Sequence, residues 1–209
     1  ISQKVRRGSS ELNFVAHETL EFSNDLIEGL MSAIQSKQID FIVMGTKSSH
    51  DKLERVLGTH SAEVIESSNI PVLMIPESSN LTEMNKIGFA TDGRSISNTS
   101  RLAYLAELAA FTGASVEVFF IGKPGENIDF EFSENKQILE RHLGSVVHNY
   151  RSVVNENLLE GITSYVDNYQ IDLLAVIPRH HDFLYKWFHG STTKYVAQNL
   201  HMPMLALPE

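Results

Sequence analysis

Two glycines and the hydroxyl residues after the second glycine form the part of this chain best suited to hold a phosphate group. Gly45 ends the apolar run 41–44. Gly58 stands before Thr59 and Ser61, where a segment with helical spacing begins. Glycine lets backbone N–H groups approach phosphate oxygens, a helix N-terminus adds partial positive charge, and hydroxyl groups donate further hydrogen bonds. The structural alternative is that Gly45 relieves a tight turn and Thr59 caps a helix.

A loop in the last part of the chain carries a second group of polar residues that could bind a ligand. Its candidate metal ligands are three histidines and one aspartate: His180, His181, His189 and Asp182. Imidazole and carboxylate groups would suit zinc. Against zinc, the adjacent His180 and His181 would point in different directions, and no His-x3-His spacing is present. The alternatives are a solvated loop and an anion site formed by Arg179 and Lys186.

The composition excludes several classes of protein and site. The chain has 209 residues, 42% of them hydrophobic, and no cysteine, so disulfides and thiol chemistry are excluded. The formal charge of −9 leaves no broad basic surface for a nucleic-acid backbone. No apolar run approaches the roughly 18 residues of a membrane helix, and the N-terminus lacks the order of a signal peptide. A cytoplasmic location without membrane or nucleic-acid partners is therefore predicted.

An internal repeat organises the chain. At a constant offset of 132 residues, the first part aligns without gaps with the last part. The identical positions include glycines, prolines and strand starts: Gln38–Asp40 with Gln170–Asp172, Glu28–Gly29 with Glu160–Gly161, Gly58 with Gly190, Pro71 with Pro203, and Pro76–Glu77 with Pro208–Glu209. The repeat predicts two copies of one domain. We assign residues 1–77 to the C-terminal part of a first copy, 78–85 to a linker and 86–209 to a complete second copy.

Apolar runs alternate with segments of helical spacing in both copies. In the second copy we expect strands at 86–91, 116–121, 146–154, 173–177 and 204–207, and helices at 97–111, 135–143, 158–166 and 192–200. In the first copy we expect strands at 12–19, 41–44 and 72–75, and helices at 24–36 and from 59 onward. This alternation predicts an α/β fold of two tandem, doubly wound, mostly parallel five-stranded sheets, the first of them incomplete.

The stretch from 40 to 76 resembles the universal stress protein family. That family's nucleotide-binding signature is Gly, two residues, Gly, nine residues, then Gly followed by Ser or Thr. Gly45 matches the first glycine, Ser48 stands in place of the second, and Gly58 with Thr59 matches the final pair. The resemblance implies an adenine nucleotide alpha hydrolase-like fold that binds ATP or AMP.

The second copy departs further from the same signature. Ile177 and His180 occupy its two earlier glycine positions, and only Gly190 and Ser191 match. Asp92, after the first strand, matches an aspartate that in the family contacts the adenine. The first copy thus holds the phosphate loop without its aspartate, and the second copy holds the aspartate with most of the loop changed.

Three functions follow from these residues. The first is a stress-response module in which ATP or AMP binding biases a domain or partner interface, without a chemical reaction. The second is an interaction module that binds no nucleotide. The third is a weak ATPase, for which the sequence identifies no base to activate water. Because there is no Gly-x-Ser-x-Gly elbow and no committed catalytic triad, we do not expect an enzyme.

The last strands of the two copies are candidates for strand pairing. Residues 72–75 and 204–207 are short, apolar and flanked by proline, as edge strands often are. Members of the family that this chain resembles associate through this strand. We therefore expect the two copies to pair with each other as an internal pseudo-dimer, or with another chain.

Overall fold

The computed structural model describes residues 25–46, 59–77, 79, 83–91, 96, 98–125, 134–178 and 202–208. It divides the chain into two compact units, Ile1–Ile39 and Asp40–Glu209. Within the described residues, the first unit contains the helix α1 (Leu26–Lys37). Those of the second unit form seven strands and four helices, in chain order: β1 (Ile42–Thr46), α2 (Thr59–Ser67), β2 (Val72–Pro76), β3 (Lys86–Thr91), α3 (Leu102–Thr112), β4 (Ser115–Gly122), α4 (Glu134–Leu143), β5 (His148–Val154), α5 (Leu158–Tyr169), β6 (Leu173–Val176) and β7 (Met204–Ala206).

The helices α1 and α5 have the same local structure at positions related by the repeat. Asp25 caps α1, and its side chain accepts hydrogen bonds from two N–H groups of the first turn. Asn157, 132 residues later, caps α5 in the same way. Both helices end at a glutamine with left-handed backbone, Gln38 (φ 50°) and Gln170 (φ 53°). Because a positive φ is uncommon outside glycine, its presence at both equivalent positions confirms the repeat.

The seven strands form one sheet in the order β1-β2-β7-β6-β3-β4-β5. β2 and β7 pair antiparallel, whereas every other neighbouring pair is parallel. The strands of the first copy, β1 and β2, therefore continue the five-stranded sheet of the second copy. The α/β class and the mostly parallel sheet were predicted correctly, and the two copies share a single sheet.

The two copies are joined by the β2–β7 strand pair, which we call the joint, and this joint is symmetric. The register of β2 and β7 places Val72 opposite Ala206, Leu73 opposite Leu205, and Met74 opposite Met204. Leu73 and Leu205 are equivalent positions of the repeat, so a local two-fold axis passes between them. The expected pairing of 72–75 with 204–207 is thus present within the chain.

One hydrophobic core runs along a single face of the sheet, under α3 and α4. Its buried residues come from both copies: Leu73, Ile87, Phe89, Ile96, Leu102, Leu105, Ala109, Ala114, Val116, Val118, Leu139, Leu143, Leu173, Ala175, Leu205 and Leu207. Leu73 is the contribution of β2. Because burial of apolar area is the main stabilising term in folding, this shared core holds β2 to the second copy.

Several predicted boundaries shift by a few residues. The helix expected at 97–111 begins with a 3-10 turn, Thr99–Arg101, and α3 then ends before Gly113, whose φ of 74° makes it the predicted stop. The strand expected from 146 begins at His148, because the Val146 N–H donates to the Leu143 carbonyl at 2.9 Å and closes the end of α4. The strand expected at 12–19 and the helix expected at 192–200 lie outside the described residues.

Candidate functional site

Gly45 is a strand residue with open space beside it. It lies in β1 opposite Ile75 of β2, and its φ is not in the left-handed region. A Cβ added at Gly45 would meet no described atom within 4 Å. Neither a tight turn nor packing against the described residues therefore requires glycine here. A glycine inside a strand is about 0.5–1 kcal/mol less favourable than alanine, and it often marks a place where a ligand or another backbone approaches closely.

The helix α2 begins at the end of the sheet where β1 ends. β1 and β2 are parallel neighbours, so α2 returns the chain from the carboxyl end of β1 to the amino end of β2. Thr59, directly after Gly58, is the first residue of α2. Ser61, in its first turn, is only 6% exposed, so its hydroxyl is not on the open surface. A phosphate at this end would meet the positive end of the helix dipole.

Most of the other predicted site residues lie outside the described part of the chain. These residues are Ser48, Gly58, Asp92, Gly190 and Ser191, together with the candidate metal ligands His180, His181 and His189. Their roles stay predictions. Among the described residues, no three or more His, Asp or Glu side chains come together as a metal site would require.

The two predicted half-sites lie at opposite ends of the sheet. β1 and β2 run against the other five strands, because the β2–β7 pair is antiparallel. Gly45, near the end of β1, and Thr91, the last residue of β3, are therefore at opposite ends. Asp92 directly follows Thr91 in the sequence. The strand ends that precede the predicted phosphate loop of the first copy and Asp92 of the second copy are thus at opposite ends of the sheet.

A buried asparagine that the sequence did not single out accepts a hydrogen bond from the backbone of Ile96. The Ile96 N–H donates to the Asn135 side-chain oxygen at 3.2 Å, and both residues are buried. Ile96 lies four residues after Asp92, and Asn135 lies in the first turn of α4. This bond ties Ile96 to α4. The adjacent carboxyl ends of β3 and β6 are the kind of place where α/β proteins bind ligands.

A buried carboxylate with three donors lies on the face of the sheet that α5 covers. Glu117 of β4 accepts hydrogen bonds from Asn149 Nδ2 (2.8 Å), Arg151 Nε (3.4 Å) and the Tyr165 hydroxyl (3.4 Å). The Tyr165 and Tyr169 rings stack with centroids 4.3 Å apart, and the Arg151 guanidinium lies 4.7 Å from the Tyr169 centroid. These contacts are near the amino end of β4, at the other end of the sheet from the carboxyl ends of β3 and β6, and four strands lie between β4 and β1. They fasten α5 to β4 and β5.

The Tyr165 hydroxyl predicts a stability change at high pH. Burial, and then the charge of Glu117, raise the pKa of Tyr165 above its usual value of 10.0. Because the folded-state pKa is the higher one, this contribution is fully present below about pH 10 and is lost as the pH rises further. When the pH is raised from about 8 to about 11, the free energy of unfolding of both proteins should fall. We expect the fall to be about 1 kcal/mol larger for the unmodified chain than for Tyr165→Phe. Urea denaturation at both pH values measures this, and equal losses in the two proteins would contradict it.

The fold matches solved structures at low sequence identity. A universal stress protein from Archaeoglobus fulgidus DSM 4304 is 16% identical with a TM-score of 0.62, covering 87% of this chain and 65% of that chain. A functionally unknown protein from Pseudomonas aeruginosa PAO1 is 15% identical with a TM-score of 0.63, covering 89% of this chain and 69% of that chain. This chain thus spans about two thirds of the length of both structures.

The remaining comparisons bear on membership and on membrane spans. No curated protein was found to match the chain. Among the described residues, the helices are too short and too polar to cross a membrane. The sequence profile of the universal stress protein family matches residues 3–76 and again residues 83–208. With both copies matched over nearly their whole length, the chain belongs to the universal stress protein family.

Proposed function

We propose that this chain is a nucleotide-binding module of the stress response, in which ATP or AMP binds with its phosphates at the Gly45 end of β1. The observation that carries the proposal is Gly45 itself, a strand glycine that neither its backbone conformation nor the described packing requires. The N-terminus of α2 at the same end of the sheet supports an anionic ligand. Membership of the universal stress protein family agrees with this assignment.

The proposed role of the phosphate loop is binding and orientation. Backbone N–H groups around Gly45 and at the start of α2 donate to phosphate oxygens, and the hydroxyl groups of Ser48 and Thr59 add donors. Gly58 lets the chain pass close to the phosphates. No residue is assigned as a base for water, so we do not propose an enzyme. ATP turnover that Gly58→Val abolished would favour the weak ATPase instead.

The second copy is proposed to form a separate, weaker half-site at the other end of the sheet. Asp92 would contact the adenine, and Gly190 with Ser191 would meet the phosphates at the start of the next predicted helix. Because β1 and β3 end at opposite ends of the sheet, we propose that a nucleotide bound by the first copy does not contact Asp92 of the same chain.

The test is calorimetric titration of ATP and AMP into the purified chain and into Gly45→Val. We expect saturable binding by the unmodified chain and at least about tenfold weaker binding by the variant, because a side chain at Gly45 keeps the phosphate from the backbone. Thermal unfolding of the variant should occur at the same or a higher temperature, since the added Cβ meets no described atom and valine is more favourable than glycine in a strand.

The control is Val43→Thr, which keeps the size and β-branched shape of the side chain at an exposed residue of the same strand. Its affinity for nucleotide should equal that of the unmodified chain. Equal affinities for Gly45→Val and the unmodified chain, or no nucleotide heat at all, would reject the proposal. Titration with zinc under the same conditions tests the histidine loop separately.

The competing proposal is an interaction module that binds no nucleotide. Ser48, Ile177 and His180 at the signature positions favour it. The pairing of β2 with β7 leaves those two strands occupied within the chain. A partner strand would therefore have to use one of the two outer strands of the sheet.

A further inference from the structure

The start of α3, which we define as residues 99–104, contacts the first copy at two points outside the joint. The Arg101 Nη2 group donates a hydrogen bond to the Asn69 carbonyl, in the turn between α2 and β2. Three residues later, the centroid of the Tyr104 ring lies 6.2 Å from that of Phe41, the residue before β1. The two copies are therefore connected at the start of α3 as well as at the joint.

Both contacts lie at the end of the sheet opposite Gly45. β1 and β2 are parallel and begin level with each other, with Ile42 opposite Val72. Phe41 and Asn69 precede these strands and so lie at their amino ends. The start of α3 follows β3 in the chain and lies at the carboxyl end of that strand. These two places are at the same end of the sheet, because β2 is antiparallel to β7, which runs parallel to β6 and β3.

The two elements that end at these contacts also carry the proposed phosphate site of the first copy. β1 begins after Phe41 and has Gly45 near its other end. The helix α2 begins at the Gly45 end of the sheet, and a bonded turn that contains Asn69 follows its last residue. In that turn the Ser68 hydroxyl donates to the Ile70 carbonyl at 2.9 Å, and both residues are buried. Each element is thus a continuous connection from the phosphate site to α3.

The start of α3 is weakly held by its own backbone. It opens with the 3-10 turn Thr99–Arg101, and hydrogen bonds of such turns have poorer geometry than those of an α-helix. The Arg101 N–H donates to the Asn98 carbonyl at 3.3 Å, and the Asn98 side chain makes no capping hydrogen bond. The Arg101 Nε is buried without a hydrogen-bond partner in the described part of the chain. The bond from Arg101 to Asn69 therefore stabilises a turn whose other bonds are weak.

We propose that the start of α3 is a sensor through which the second copy responds to nucleotide bound by the first copy. This inference rests on the proposed function. A phosphate at the Gly45 end restrains β1 and α2, and the far ends of these elements then hold Tyr104 and Arg101 more firmly. Because coupling between two sites is reciprocal, loss of the Arg101 contact weakens nucleotide binding at the opposite end of the sheet.

The test combines amide hydrogen exchange of the full chain, with and without ATP, with calorimetric titration of ATP. The reporter is the Leu102 N–H, which donates to the Thr99 and Ser100 carbonyls. We expect ATP to slow its exchange at least about threefold. Gly45→Val should abolish this slowing, because it removes the ligand from the first copy. Arg101→Met keeps a long side chain without the donor, so it should abolish the slowing and weaken ATP binding about three- to tenfold.

The matched control is Arg141→Met, which makes the same substitution at an exposed arginine of α4. This variant should bind ATP, and slow the exchange of Leu102, as the unmodified chain does. Arg101→Lys keeps a cationic donor and should recover part of the affinity and part of the slowing that Arg101→Met loses.

Two results would overturn the sensor role of α3. Slowed exchange of Leu102 that persists in Gly45→Val would assign the effect to a ligand at the second copy. Unchanged ATP affinity and unchanged slowing in Arg101→Met would show that the contact with Asn69 transmits nothing. If Gly45→Val alone loses ATP binding, the proposed function stands and only the sensor role is rejected, whereas no ATP heat with the unmodified chain rejects both.

Discussion

Leu205→Glu is expected to lower the free energy of unfolding by more than about 4 kcal/mol. Leu205 is fully buried in β7, directly opposite Leu73 of β2, and belongs to the core that both copies share. A glutamate at this position would place a carboxylate in apolar surroundings, where no described group is placed to donate a hydrogen bond to it. The carboxylate would also lie next to the backbone hydrogen bonds that join β7 to β2. Urea denaturation followed by circular dichroism measures the change.

Two control variants separate charge from size at the joint. Leu26→Glu makes the same substitution at a leucine of α1 that is 52% exposed, and it should change stability by less than about 0.5 kcal/mol. Leu205→Ala removes volume without adding charge and should cost about 2–5 kcal/mol. If Leu205→Glu were as stable as the unmodified chain, the β2–β7 joint would not form in solution.

The elements of the second copy were largely predictable because each carries its own local signal. Residues 86–91 were predicted as a strand and form β3 without any shift. The glycine stop at Gly113 has the left-handed backbone that its position after a helical segment predicts. The repeat then transferred this plan to the first copy, where β1 and β2 formed at the expected segments.

The register and the symmetry of the joint could not be predicted from local sequence signals or from the repeat. The apolar, proline-flanked segments predicted that 72–75 and 204–207 would pair. Whether they align at Leu73 and Leu205, and whether the core crosses the joint, depends on packing between residues far apart in the chain. If one strand slipped by one residue, the side chains that now face the core would face the other side of the sheet. Packing of the core therefore selects the register.

The sequence could propose residues for the candidate site but not their surroundings. Spacing predicts that Gly45 contacts phosphate, whereas the open space beside Gly45 is a property of the folded sheet. Glu117 and Asn135 gave no signal, because a single polar residue in a strand or helix usually faces solvent. Their burial depends on donors and acceptors from other elements: Asn149, Arg151 and Tyr165 for Glu117, and the Ile96 N–H for Asn135.

The antiparallel β2–β7 pair limits how nucleotide binding by one copy could affect the other copy. Gly45 of β1 and Thr91 of β3 lie at opposite ends of the sheet, so the nucleotide sites proposed for the two copies would be separate from each other. Among the described elements, β2 and β7 connect the two copies as a strand pair, and they share one buried apolar core. Substitutions at the joint that leave the chain folded, such as Leu73→Val, are therefore further variants with which to look for coupling between the half-sites.

Gly161→Val is expected to destabilise the fold by about 1–3 kcal/mol, because α5 approaches β4 too closely for a side chain at this position. A Cβ at Gly161 would lie 2.7 Å from Ile121 Cγ2 and 3.2 Å from Asn155 Cβ. Asn155 Cβ is bonded directly to the backbone, and Ile121 Cγ2 can move only by a change of the χ1 rotamer, so the helix or the Ile121 side chain has to shift. Chemical denaturation of the purified variant measures the loss.

A control variant and a rescue variant test this explanation of Gly161→Val. Ser164→Val introduces the same side chain on the exposed side of α5 and should change stability by less than about 0.5 kcal/mol. Adding Ile121→Ala to Gly161→Val removes the closest contacting atom, so the double variant should be more stable than the sum of the two single changes predicts. Strictly additive free energies would mean that the contact between Gly161 and Ile121 does not limit the approach of α5 to the sheet.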